Sequence, residues 1–136
     1  MVEDIDPGKV WEAMKAEPRA RLCDVRTEAE WTFVGLADLR SLAREPVLIP
    51  WQSYPTMQRN AQFVDHLRSA GLQSDQPIYF ICRSGARSLA AAEAAAMAGF
   101  TKVFNVADGF EGPLDQEGHR GRVGGWKACG LPWRQG

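Results

Sequence analysis

One stretch constrains this chain more than any other: Pro77-Ile78-Tyr79-Phe80-Ile81-Cys82-Arg83-Ser84-Gly85-Ala86-Arg87-Ser88, followed by the alanine-rich run Leu89 to Ala98. Ile78 to Ile81 is a continuous apolar run of β-branched and aromatic residues, the pattern of a strand buried on both faces. Pro77 stands at its start, where a missing N–H does little harm. Leu89 to Ala98 is nearly all alanine, the best helix former, and Gly99 supplies a C-terminal stop. The small side chains let this helix lie close against a sheet.

The residues between strand and helix place a thiol where helix amides converge. A short loop at a helix N-terminus turns its N–H groups inward as a nest, and such nests bind anions. Gly85 lets the backbone curl where a Cβ would block it. Arg83 and Arg87 add positive charge that is always present at physiological pH. Helix N-termini and nearby cations bring cysteine pKa values down to about 3.5–7.5. The stretch therefore predicts a nucleophilic sulfur, Cys82, in an anion cradle formed by Arg83, Ser84, Gly85, Ala86, Arg87 and Ser88. A buried structural cysteine beside a solvated helix start is the plainer reading. Against it, exposed cations at a helix N-terminus oppose the macrodipole by roughly 0.3–1 kcal/mol each. An anion held between them accounts for both.

Together with other stretches in order, this loop resembles the rhodanese family of sulfurtransferases in its single-domain form. The other stretches are Leu22-Cys23-Asp24-Val25-Arg26-Thr27-Glu28-Ala29-Glu30-Trp31, Ile49-Pro50-Trp51, the run Gly99 to Gly112 with its Asp108-Gly109-Phe110-Glu111-Gly112 turn, and Gly125-Trp126-Lys127-Ala128-Cys129-Gly130-Leu131-Pro132. They span nearly the whole chain. The resemblance implies a three-layer α/β fold with a central, mostly parallel sheet and helices on both faces, in a single domain over residues 1–136. It implies a catalytic Cys82 that takes a sulfane sulfur from a donor such as thiosulfate, becomes a persulfide, and passes the sulfur to cyanide or a thiol, including a thiol on a protein. It implies no metal and no organic cofactor. Two departures stand out. Gly35-Leu36-Ala37-Asp38 replaces the usual Gly-His, and Pro113 to Gly124 is an extra polar, Gly-rich stretch expected to border the mouth of the site.

Two rival readings share the fold. Phosphatases of this fold carry a longer loop between Cys and Arg; here only Arg83 to Ala86 intervene. A phosphoryl group with its in-line leaving group needs more room than one sulfur atom. Phosphatase or arsenate reductase chemistry therefore ranks below sulfur transfer. The second rival is a non-enzymatic domain that carries or senses persulfide sulfur.

The remaining chain fits a globular α/β protein. At 136 residues, 45% hydrophobic and 24% charged, it has enough chain for a proper core. A net charge of −1 gives no bulk attraction to nucleic acid or membrane. The first residues are acidic and lack the apolar core of a signal peptide, so a cytoplasmic location is expected. Cys23, Cys82 and Cys129 fit neither a disulfide framework nor a zinc spacing. Cys23 and Cys129 read as structural.

Asp6-Pro7 starts a helix that carries Val10, Trp11 and Met14 on one stripe and ends before Pro18. Arg21 to Val25 reads as a strand whose end brings Asp24 and Arg26 to the sheet edge where α/β sites lie. Asp24 either holds the active loop or pairs with Arg26. Thr27 caps a short helix over Glu28 to Trp31, and Val47 to Ile49 forms a short strand. Trp51 either walls the pocket or joins the core. Residues 56–70 read as an amphipathic helix with Met57, Ala61, Val64 and Leu67 on one face. Lys102 to Val106 is a further strand, and Trp126 to Cys129 a short terminal helix. His66 and His119 read as surface residues, leaving a Cys–His dyad without support.

Overall fold

The computed structural model describes residues 2–53 and 55–135. In chain order its first half contains β1 (Glu3–Ile5), α1 (Pro7–Ala16), β2 (Arg21–Asp24), α2 (Glu28–Phe33), β3 (Leu36–Ala37), β4 (Val47–Leu48), β5 (Gln52–Ser53) and β6 (Gln58–Arg59). The second half contains α3 (Phe63–Ser69), β7 (Ile78–Ile81), α4 (Ala86–Met97), β8 (Val103–Val106) and β9 (Trp133–Arg134). Five strands make one parallel sheet in the order β1-β8-β7-β2-β4. The fold is the α/β fold the sequence implied, with helices on both faces.

Alternation along the central strands separates two cores. Cys23, Ile78 and Phe80 face one side, where they meet Phe63 and Leu67 of α3 and Ala91, Ala92 and Ala95 of α4. Leu22, Tyr79 and Ile81 face the other, where Val10 and Met14 of α1 join Phe110 and Trp126. A strand apolar at every position is what a sheet covered on both faces requires. Burial of each large side chain contributes about 1.5–3 kcal/mol.

Helix starts follow their caps. Asp6 accepts from the Gly8 amide at 3.1 Å, and Pro7 takes the first helical position of α1. Thr27 and Glu30 form a reciprocal capping box on α2. That helix runs to Phe33, two residues past the expected end. Helix α4 begins at Ala86, so Ala86, Arg87 and Ser88 form its first turn rather than a loop before it.

Several expectations are corrected. Residues 56–70 are helical only over Phe63–Ser69. Before that, Gln52–Ser53 pairs antiparallel with Gln58–Arg59, and Met57 sits at φ 57° with its side chain exposed. Asn60 is the reason: its side chain accepts from the Gln62 amide and donates to the Pro50 carbonyl, a local alternative to helical bonding. Trp126 to Cys129 is a single turn rather than a helix, closed by Cys129 N–H to Gly125 O and Gly130 N–H to Lys127 O. The short strand β1 gave no sequence pattern, because Glu3 and Asp4 are exposed and only pairing with β8 defines it.

Candidate active site

Cys82 follows the last residue of β7 at the carboxyl end of the parallel sheet. Its own surface is only 1% exposed, yet it forms part of the wall of a pocket of about 740 Å³. Three donors reach its sulfur: the Gly85 amide at 3.1 Å, the Ser88 amide at 3.3 Å and the Ser88 hydroxyl at 3.2 Å. Gly85 is the N-cap residue of α4 at φ 115°, and no side chain caps this helix. The cysteine sulfur occupies the position that a serine or aspartate oxygen takes at other helix starts.

The turn after β8 holds this loop from behind. Phe110 N–H donates to the Cys82 carbonyl at 2.7 Å, and the Glu111 and Gly112 amides donate to the Arg83 carbonyl at 3.0 and 3.2 Å. These bonds fix the Cys82 and Arg83 carbonyls against the turn, while the Gly85 and Ser88 amides point at the sulfur. Gly109 makes the close approach possible: at φ 64° it has no side chain, and a Cβ there would lie 2.4 Å from the Cys82 carbonyl oxygen. The amides of Arg83, Ser84, Ala86 and Arg87 find no acceptor among the described residues. The first two lie in the loop, the second two in the unsatisfied first turn of α4.

The two arginines are not equivalent. Arg87 is bound in two places by Glu30, Nη1 to Oε1 at 2.6 Å and Nη2 to Oε2 at 2.9 Å. Burial pushes the Glu30 carboxyl up, but the Arg87 guanidinium and the Thr27 amide outweigh it and hold the group down to about 2. Arg83 is exposed, lines the pocket and forms no ion pair among the described residues. The cradle therefore presents one free guanidinium at its rim and one held in a carboxylate fork. Ser84 and Ala86 are exposed at the same wall.

Asp24 pairs with Arg26 rather than holding the loop. Arg26 Nη2 meets Asp24 Oδ2 at 2.7 Å with both side chains buried, and it also donates to the Gly35 carbonyl at 2.7 Å. The guanidinium lies 4.4 Å from the Phe110 ring centroid, so the pair braces the turn that holds the loop. Trp51 belongs to the core, edge-on to Phe63 at 5.2 Å. His66 and His119 are exposed and neither lines the pocket. Arg120 of the extra stretch does line it, anchored to the Gly112 carbonyl at 2.8 Å. Burial drives the Cys23 thiol strongly upward.

Two site residues escape a sequence reading. Glu30 is visible only as the fourth residue of the Thr27 capping box, and its grip on Arg87 spans 57 positions. Asn105 is a polar residue in the otherwise apolar strand Val103–Val106, a signal that a buried amide has partners to find. Its Oδ1 lies 2.5 Å from the Ser88 hydroxyl.

Comparison with known proteins agrees with this geometry. A protein of Rickettsia prowazekii (strain Madrid E), RP600, is 33% identical over 135 residues, covering 98% of each chain. The crystal structure of Rv0390 from M. tuberculosis has a TM-score of 0.89 at 51% identity, covering 99% of this chain and 98% of that one. The solution structure of the polysulfide-sulfur transferase homodimer from Wolinella succinogenes has a TM-score of 0.68 at 19% identity, covering 99% of this chain and 80% of that one, a likeness of fold. The family described as Rhodanese-like domain matches residues 6–114. With a cysteine at the head of a capless helix and a match over most of its length, the chain belongs to the rhodanese-like domain family, a family of sulfurtransferase type.

Proposed function

We propose that this protein is a sulfurtransferase that carries a sulfane sulfur on Cys82 as a persulfide. The observation that carries the reading is the convergence of the Gly85 amide, the Ser88 amide and the Ser88 hydroxyl on one sulfur in a pocket wall. Preorganised donors of this kind stabilise charge where it develops. The Cys82 thiolate attacks the outer sulfur of thiosulfate, a new S–S bond forms, and the donor's own S–S bond breaks with its electron pair leaving on sulfite. An acceptor thiolate or cyanide then attacks the terminal sulfur, and the electron pair returns to Cys82. The unpartnered amides of Arg83, Ser84, Ala86 and Arg87 and the free Arg83 guanidinium suit an anionic donor. Arg87, fixed by Glu30, shapes the wall. Neither half-reaction needs a metal or organic cofactor, and the kinetics are ping-pong. No described helix is long and apolar enough to cross a membrane, and the three cysteines are unpaired, which supports a cytoplasmic setting.

The test is a matrix of donors (thiosulfate, polysulfide) against acceptors (cyanide, small thiols, a thiol protein), read by intact mass. Cys82 should gain about 32 Da from a covalent intermediate and lose it to acceptor. Cys82→Ser should gain nothing. Loading without discharge to any acceptor would instead mark a carrier or sensor. Hydrolysis of an aryl phosphate without loading would mark a phosphatase.

A further inference from the structure

Ser88 has one hydroxyl proton and three acceptors within reach. These are the Cys82 sulfur at 3.2 Å, the Gly85 carbonyl at 3.2 Å and Asn105 Oδ1 at 2.5 Å. Ser88 is wholly buried and Asn105 only 3% exposed, so water does not make up a shortfall. The Asn105 amide cannot turn to offer a donor instead. Its NH2 group is already held by Asp4 Oδ1 at 2.8 Å and by the Gly85 carbonyl at 3.2 Å. Asp4 lies opposite Asn105 in the β1–β8 ladder, so the edge strand itself sets the amide's orientation.

We propose that Asn105 is a positioning residue that competes with the Cys82 sulfur for the Ser88 proton, and that Asp4 holds it in that role. The inference rests on the sulfur-transfer reading. In the unloaded thiolate the negative charge sits on the Cys82 sulfur. A hydroxyl turned onto it leaves Asn105 Oδ1 as a buried acceptor without a donor, which is costly. In the persulfide the charge moves to the terminal sulfur. The hydroxyl then returns to Asn105, and every buried group in the chain Asp4–Asn105–Ser88 is satisfied. The amide thus raises the unloaded state relative to the loaded one and favours capture of sulfur.

The test is the loading equilibrium. Protein is held with thiosulfate and sulfite at a fixed ratio, and the loaded-to-free ratio of Cys82 is read by intact mass. Asn105→Ala should shift that ratio toward the free form by roughly tenfold, what one hydrogen bond to a charged group supplies. Asp4→Ala, at an exposed position far less apt to disturb folding, should shift it the same way by about threefold, less than Asn105→Ala because the Gly85 carbonyl still holds the amide. In a Ser88→Ala background, Asn105→Ala should shift it no further, because no proton remains to compete for. An unchanged ratio in both single variants, or an Asn105→Ala shift as large without the Ser88 hydroxyl as with it, overturns the inference while leaving sulfur transfer standing. Absence of the added mass on the unsubstituted protein overturns both.

Discussion

Glu30 accepts from its own helix start and from Arg87 at once, and these bonds prevail over the burial that pushes its carboxyl up. The consequence for pH has a definite sign. A carboxyl held at about 2 in the fold, against 4.5 as its ordinary value, contributes stability that is present in full above 4.5. That contribution fades as pH falls toward 2. Glu30→Gln should lower stability by roughly 2–3 kcal/mol at neutral pH, the displacement converted at about 1.4 kcal/mol per pKa unit and reduced for solvent screening of a half-buried group. The melting temperatures of the two proteins should converge on acidification; a constant gap would show that the ion pair contributes nothing. Arg83 differs because no carboxylate among the described residues pairs with it. Arg83→Ala should raise KM for thiosulfate several-fold, about what loss of one charge-assisted hydrogen bond costs, while kcat and melting temperature stay near their original values.

Elements meet at the site through backbone, and the glycines there separate contact from strain. A Cβ at Gly109 would strike the Cys82 carbonyl at 2.4 Å, whereas one at Gly99 meets nothing within 4 Å although φ is 103°. Gly99→Ala should therefore cost only the left-handed backbone penalty, about 1–2 kcal/mol. Gly109→Ala should cost more and also abolish persulfide loading, because it pushes the turn off the loop. Denaturant melts beside intact-mass loading separate the two. The sequence announced the strand, the thiol and the alanine helix because each is a local pattern. It misplaced the start of α4 because the run Ala86-Arg87-Ser88 carries no side-chain cap to mark it. It overextended α3 because the Asn60 turn interrupts a pattern that periodicity alone would continue. It left β1 unread because two exposed acidic residues and one half-buried isoleucine become a strand only when β8 is there to pair with them.

At the scale of the whole molecule, the stretch from Pro113 to Gly124 reaches the pocket through Arg120. Its two ends touch, since a Cβ on Gly112 would lie 1.9 Å from the Gly124 carbonyl oxygen. Removing residues 113–123 and joining Gly112 to Gly124 should leave the fold intact, as excision of a surface loop with adjoining ends does. Persulfide loading should survive, and discrimination among anionic acceptors should weaken with the loss of Arg120. A collapse of loading in the shortened protein would assign this stretch to the cradle itself. Its position at the pocket was anticipated from the sequence, because it adds length just after the Asp108–Gly112 turn. The Asn105–Ser88 and Glu30–Arg87 contacts were not, because 17 and 57 positions separate partners that only the sheet brings together.

A helix whose first turn is tied to a reactive atom inherits that atom's history. α4 has the Cys82 sulfur where another helix would have an inert oxygen, so bulk added there bears on the moorings of a twelve-residue rod. One added sulfur leaves that mooring seated. A bulky alkyl adduct should displace the Gly85 and Ser88 amides and slacken the rod from its first turn. A heating curve of the alkylated protein, read beside amide exchange at Gly85 and Ser88, thus gauges how much of the rod's hold runs through that one sulfur.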